Sequence, residues 1–280
     1  MAINYKTMIL YSIVSFREDY KESVVYKNLM RSFINSQGIN KKLHLFIYDN
    51  TDALEWTLKA DNETNADIHI YYIHNPDNVG ISKAYNAIAD FAKNNTFDHI
   101  VFLDQDTYLP LNFYSVYEKF SSLEKNISVP LIYGGEKLIS PSRYRLYRSF
   151  LYNEITDSYI STRGNSCINS GIMVKTDFFH KVGGYNSKLR LDFCDHEFMG
   201  RVKSFTENLY IIPIKLKQDF STNTNSKDKA LFRYSLFMKD IRIFKRIKNH
   251  FLVTLFVDLP HLLRLSLQYK SFAFLRRRLF

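Results

Sequence analysis

The sequence predicts an α/β protein with a mostly parallel central sheet flanked by helices and a helical appendage at its C-terminal end. Three observations lead there. In the first 110 residues short β-type apolar runs alternate with longer amphipathic segments, the pattern of strand-helix-strand units. With 46% hydrophobic and 16% aromatic residues among 280, the chain is apolar enough to bury a substantial core and too apolar for a disordered protein. The net charge of +10 is concentrated at one end: residues 227–280 hold 13 Lys and Arg against three Asp, which leaves residues 1–226 neutral.

The first strand is expected over Met8–Val14, then a helix over Lys21–Asn35, strands over Leu43–Tyr48 and Ile68–Ile73, a helix over Ile81–Lys93 and a buried strand over Ile100–Leu103. Met8–Val14 imitates a short leader peptide, but Tyr11 and Ser12 interrupt it and no small-residue cleavage site follows, so the strand reading is preferred. From Tyr133 to Lys203 the pattern is less regular, with turns at Gly134-Gly135, Gly164 and Gly183-Gly184, and this part is expected to complete the sheet. The polar stretch Ser221–Ser226 reads as a loop and places a boundary near residue 226. That gives a body of two halves, 1–110 and 111–226, and a basic amphipathic tail, 227–280, helical from Lys229 to about Lys248 and again around Pro260.

No run in the tail reaches the ~18 apolar residues of a membrane-spanning helix. Phe251, Leu252, Leu255, Phe256, Leu262, Leu263 and Leu265 stand beside Arg264, Lys270 and Arg276–Arg278, a composition that suits peripheral attachment to an anionic membrane and not a nucleic acid. Packing of the same surface on the body, or on a second copy in a homodimer, is the competing expectation. Cys167 and Cys194 have no zinc-ligand spacing and no disulfide framework, which fits a reducing, cytoplasmic setting at the inner face of a cell membrane.

Open α/β sheets bind ligands at the carboxyl ends of their strands, so the residues just after each apolar run are where chemistry is expected. Val101-Phe102-Leu103-Asp104-Gln105-Asp106 places two carboxylates one residue apart at a buried strand end. Crowding like charges is costly unless a cation joins them, and a divalent metal with oxygen ligands, Mg2+ or Mn2+, would do so while holding a diphosphate. A solvated acidic turn is the plainer account of the same pair. Asn75–Asn86 leads a turn into a helix, with Gly80 allowing close approach, Lys83 adding positive charge and free N–H groups at the helix start; this suits phosphate or ribose, and equally ordinary capping by Asn78 or Ser82. In Leu191–Phe198 three acids surround His196, which supplies either a general base or a helix start favoured by the dipole.

Together, and in this order, the segments resemble the family-2 glycosyltransferases of GT-A type fold, most closely their rhamnosyltransferase-like branch. The motifs are Ser15-Phe16, Tyr48-Asp49-Asn50, Asn78-Val79-Gly80 with Lys83 and Asn86, Phe102–Asp106, Ile168-Asn169-Ser170-Gly171, Gly183-Gly184-Tyr185 and Asp192–Glu197, over about residues 7 to 221. The resemblance implies that Ser15, Phe16 and Asp49 meet the nucleoside, that Asn78, Gly80 and Lys83 lie beside ribose and diphosphate, and that Asp104, Gln105 and Asp106 serve ribose and metal. It places the catalytic base at Asp195 and the acceptor side at Asn169, Ser170, Asp192 and His196. The implied reaction is an inverting displacement from a nucleoside-diphosphate sugar, dTDP-L-rhamnose first and a UDP-sugar next, onto a glycan or lipid-linked oligosaccharide in bacterial surface polysaccharide synthesis. Relatives often carry His where this chain has Gln218, which puts a third metal contact in doubt and leaves Asp219 as the substitute.

Three other readings compete. An aspartyl phosphatase of the haloacid dehalogenase class would carry its Asp motif after the first strand, not the fourth. A nucleotidyltransferase would show a Gly-rich basic loop near the N-terminus, which Ser15–Asp19 is not. A non-enzymatic polyanion-binding protein is supported by the tail charge alone.

Overall fold

The computed structural model describes residues 7–37, 41–52, 66–218 and 226–279. Asp219 and residues 221–225 of the expected polar loop lie outside them. The chain runs β1 (Ile9–Ser15), α1 (Val24–Asn35), β2 (Leu43–Asp49), β3 (Ile68–His74), α2 (Ile81–Asn94), β4 (His99–Asp104), β5 (Thr107–Tyr108), α3 (Phe113–Ser121), β6 (Ile127–Gly134) and β7 (Lys137–Ser140). It continues with β8 (Ser142–Arg145), β9 (Arg148–Phe150), β10 (Tyr159–Ser161), β11 (Asn165–Ser166), β12 (Met173–Lys175), α4 (Thr176–Val182), α5 (Cys194–Val202) and β13 (Asn208–Gln218). The tail holds α6 (Lys227–Ile247), α7 (His250–Val253), a π-helical turn (Thr254–Asp258), α8 (Leu259–Gln268) and α9 (Ala273–Leu279).

The main sheet is ordered β10-β13-β6-β12-β4-β1-β2-β3. Its β4-β1-β2-β3 half is parallel throughout, as the strand-helix alternation requires. Beyond β4 the sheet is mixed, because β12 enters antiparallel between β4 and β6. A separate three-stranded sheet, β11-β8-β9, stands outside it.

Alternation along the strands divides the core. Leu10, Phe46 and Phe102 face one side, under α2, α4 and the tail helices, whereas Ile9, Tyr11, Ile13, Leu45 and Leu103 face the other, under α1 and α3. The tail is part of the first core: Tyr234, Phe237, Ile241, Phe244, Val253, Leu262, Leu265 and Phe274 are buried in the same cluster as Leu10 and Phe102.

Two expectations for the tail are corrected here. Leu262 and Leu265, assigned to a membrane face, point into the core, and Arg278 pairs with buried Asp258 at 2.5 Å. The stretch His250–Gln268 is one continuous helical run, long and apolar enough by length and composition to cross a membrane, although its sequence run is broken. Pro260 has no N–H to give to this run, and the π turn at Thr254–Asp258 just before it carries the helix past the missing bond. Asp258 is fully buried and also bonded by Lys245 of α6, so this helix is tied to α6 and α9; spanning would strip a buried ion pair at a cost of several kcal/mol.

Candidate active site

The parallel register brings the sequence motifs to one edge. Val14 lies opposite Asp104 and Ser15 opposite Asp49, which in turn faces His74, so the ends of β1, β2, β3 and β4 form a single row. Asp104 is half-buried at the end of this row. Its Oδ1 accepts the Tyr85 hydroxyl at 2.9 Å and its Oδ2 accepts Gln218 Nε2 at 3.2 Å. The same Gln218 amide donates to Asp106 Oδ1 at 3.1 Å. Burial, then the neighbouring Asp106, push the Asp104 carboxyl up to about 6 against the opposing bonds from Tyr85 and Gln218. Glu18, in the turn after β1, is raised by its own burial and by Asp106.

The donor set fits a hard divalent cation. Two carboxylates are bridged by an amide whose other atom, Gln218 Oε1, is buried without a partner. Among the described residues no group of three or more His, Cys, Asp or Glu is arranged as a metal site, so further ligands would come from Gln218 and from a bound diphosphate.

On the nucleotide side, Ser15 Oγ and Asn50 Oδ1 are buried with no hydrogen-bond partner at the strand ends. Asp49, 1% exposed, accepts Thr51 N–H at 2.9 Å and the Tyr72 hydroxyl at 2.7 Å. Gln105 lies against β1: its Oε1 accepts the Phe16 N–H at 2.8 Å, which locks the carboxylate turn to the end of β1. Lys83 is exposed on the first turn of α2. At Gly80 the space a Cβ would need is filled by Arg190, whose Cγ and carbonyl oxygen lie 2.5 Å from that position, and Ile81 N–H is taken by the Arg190 carbonyl at 2.8 Å. The glycine is therefore required by protein packing, and Arg190 also donates to the Asn78 carbonyl.

The remaining motifs form a scaffold behind the site. Asn86 pairs with Tyr185, donating to its carbonyl and accepting its N–H, both at 2.8 Å; the Tyr185 hydroxyl donates to Asn169 Oδ1 at 2.7 Å, and Asn169 contacts Cys194 Sγ at the start of α5. Ser170, expected on the acceptor side, is fully buried: its Oγ accepts the Asp104 N–H at 3.2 Å and shares a 2.6 Å bond with Thr107, buckling both ends of the carboxylate turn. Asp192 is held bidentately by Arg233 of α6 at 2.6 and 2.7 Å. Asp195 and His196 lie half-buried in the first turn of α5, where the helix dipole favours a carboxylate. The consecutive residues Asn169 and Ser170 link the two ends of the site, Ser170 reaching Asp104 and Asn169 reaching Cys194, the neighbour of Asp195. His196 Nδ1 bonds Ser166 Oγ at 2.6 Å, and its ring stacks on Tyr144 with centroids 4.4 Å apart.

Several positioning groups escaped sequence reasoning. The buried Asp240 carboxylate of α6 accepts three successive backbone N–H groups, from Arg190 at 2.9 Å and from Leu191 and Asp192 at 2.7 Å, and so fixes the loop that enters α5. Its neighbours Lys239 and Arg242 make it read as one acid on a solvated basic helix. Tyr85 reads as an apolar helix position, and only the buried Tyr hydroxyl's need for a partner hints at Asp104.

A parallel half-sheet with a carboxylate pair at one strand end, continued by a mixed half, is the arrangement of the GT-A type glycosyltransferase fold. Residues 20–183, more than half of the chain, match the glycosyl transferase family 2, and the chain belongs to that family. No curated protein matches it in sequence. It is similar in fold to a crystal structure of GalNAc-T7 with UDP, GalNAc and Mn2+ (TM-score 0.55, 14% identity, 78% of this chain and 44% of that one). It is likewise similar to residues 1–349 of S. aureus TarS in complex with UDP (TM-score 0.54, 10% identity, 84% and 65% of the two chains). The chain thus spans less than two thirds of the length of each.

Proposed function

We propose that this chain is an inverting, divalent-metal-dependent glycosyltransferase that moves a sugar, L-rhamnose from dTDP-rhamnose first and a UDP-linked sugar next, to a hydroxyl of a lipid-linked glycan. The observation that carries the reading is the strand-end pair Asp104–Asp106, bridged by Gln218 and tied through Ser170 and its neighbour Asn169 to Cys194 beside Asp195. Ser15, Asp49 and Asn50 would receive the nucleoside, with Lys83 and the start of α2 near the phosphates. Asp104 and Asp106 would hold Mg2+ or Mn2+, with Gln218 turning its Oε1 toward the ion. The ion would supply positive charge for the leaving diphosphate.

In the reaction the acceptor oxygen bonds to the anomeric carbon as the bond from that carbon to the diphosphate oxygen breaks on the opposite face. The hydroxyl proton passes to the Asp195 carboxylate. A carboxylate of pKa ~4 is a weak base for a free alcohol, but the hydroxyl acidifies as its C–O bond forms. His196, fixed by Ser166 and stacked on Tyr144, would form the acceptor wall. UDP is bound in both similar structures, which keeps a UDP-sugar as the second donor. The tail, a helical unit after about residue 226, would hold the enzyme on the inner face of the cell membrane.

The test is a thermal-shift screen of dTDP, UDP and GDP with and without Mn2+, on wild type and on Asp104→Ala with Asp106→Ala. Stabilisation by one nucleotide that requires both metal and carboxylates supports the reading and identifies the donor class. A well-folded protein that no nucleotide stabilises overturns it.

A further inference from the structure

We propose that the β8–β9 hairpin and the outer face of the His250–Gln268 helix form one docking surface for an anionic lipid bilayer, which seats the acceptor mouth at the membrane. This extends the peripheral-attachment reading above and rests on it. The helix face is a stripe at four-residue spacing: Phe251, Leu255, Leu263 and Leu267 are 69%, 45%, 60% and 76% exposed, with Leu259 between them at 39%. An α-helix would rotate such a stripe by roughly 40° every four residues. The wider π turn at Thr254–Asp258 offsets part of that drift and keeps both halves facing one way.

The hairpin carries the same chemistry. Leu146, Phe150 and Leu151 are exposed beside exposed Arg143, Arg145 and Arg148, and residues 137–153 contain no Asp or Glu. Arg145 and Arg148 stand directly opposite each other across the ladder, and among the described residues neither forms a salt bridge. Like charges in that position repel, and an anionic surface relieves the repulsion. At the tip, Leu146 and Tyr147 both adopt positive φ, 49° and 62°, where Asn and Gly are usual. A bulky apolar residue is thereby held at the point of the turn despite the strain.

The two parts are continuous. Asn249 N–H donates to the Tyr147 hydroxyl at 3.3 Å, and the Tyr147 ring stands edge-on to Phe244 of α6 at 5.7 Å, so the hairpin tip sits at the corner where the apolar helix begins. The site lies on the inner side of the hairpin, where Tyr144 stacks on His196 beside Asp195. A second copy of the chain would bring the same arginines toward another basic face, whereas a bilayer offers phosphate headgroups to the arginines and its acyl boundary to the apolar stripe.

The experiment is vesicle flotation of the full chain on phosphatidylcholine alone and on phosphatidylcholine with phosphatidylglycerol. Arg145→Glu with Arg148→Glu should lower partition to the anionic vesicles about tenfold or more while leaving the nucleotide thermal shift intact. Leu263→Ser with Leu267→Ser should also release the protein. If the helix variant detaches and the hairpin variant floats like wild type, the hairpin is no part of the surface, although peripheral attachment stands. If wild type floats with neither vesicle, both readings fall. A dye on Leu146→Cys gives a second readout, selective because Cys167 and Cys194 are buried: its emission should shift to the blue on anionic vesicles, and unchanged emission overturns the proposal. A concentration-dependent dimer that the hairpin variant dissociates, with vesicle partition unaltered, would assign the surface to a second copy instead.

Discussion

At the scale of single residues, the Asp104–Gln218–Asp106 arrangement makes the metal-free site pay for its own readiness. The Asp104 carboxyl is raised from 3.8 to about 6, so between these values the folded state keeps a proton that the unfolded chain has released. The Asp104 contribution to the stability of the metal-free protein therefore falls as pH rises from about 4 through 6 and stays low at neutral pH. Asp104→Asn should raise the metal-free stability at pH 7.5 by on the order of 1–3 kcal/mol, read as a higher Tm, and abolish the gain from Mn2+ with nucleotide; a lower metal-free Tm would contradict this account. Gln218→Ala should do the reverse, costing about 1–3 kcal/mol without metal because two carboxylates lose their shared donor. Differential scanning calorimetry in chelator distinguishes the two directions. The carboxylate pair was legible from its place at a strand end; the bridge was not, since Gln218 and Asp104 are 114 residues apart in the chain.

At the scale of elements, α6 works as a brace. Asp240 and Arg233 face the same way, seven residues apart, and between them hold the backbone of residues 190–192 and the Asp192 side chain. Removing a buried acceptor from three N–H groups should make Asp240→Ala cost roughly 3 kcal/mol, with kcat falling more than donor binding, because the loop it fixes carries α5 and Asp195. Steady-state kinetics beside nucleotide thermal shifts separate the two effects; equal losses in both would mean general destabilisation. The tail has its own pH signature. Burial, then Arg264, lower His261 to about 4, where it packs on Phe237 at 4.3 Å. It stays neutral in the fold while the unfolded chain takes up a proton below 6.5, so its share of stability is full above that value and is lost as pH falls toward 4. His261→Phe should remove this loss, so that the Tm of the variant relative to wild type rises as pH is lowered from 6.5 to 4.5. The sequence pattern predicted helices in the tail but assigned no partner to Asp240 or Arg233, because helical period alone cannot tell a face turned to water from one turned to another chain segment.

At the scale of the whole molecule, the sheet and the tail share one core, which runs from Leu10 and Phe102 to Val253 and Phe274. Unfolding should therefore be a single cooperative transition, and deleting residues 227–280 should leave an insoluble or molten body instead of a free-standing catalytic domain. Circular dichroism in the near and far ultraviolet would show it; a truncated chain with native near-ultraviolet signal would establish two independent units.

Local pattern determined the strand-helix alternation of the first half, the carboxylates at the end of β4, the helical start at Ile81 and the concentration of charge in the tail. Those features depend on neighbours two to four positions away, and side-chain period reports such neighbours directly. Tertiary structure alone decided that Ser170 buckles the carboxylate turn, that Arg190 fills the space at Gly80, that Asp192 is bound by Arg233, and that Leu262 and Leu265 face inward while Leu263 and Leu267 face out. Each of these is a contact between segments tens of residues or more apart, or a choice of which face meets them, and both follow from how the sheet orders its strands.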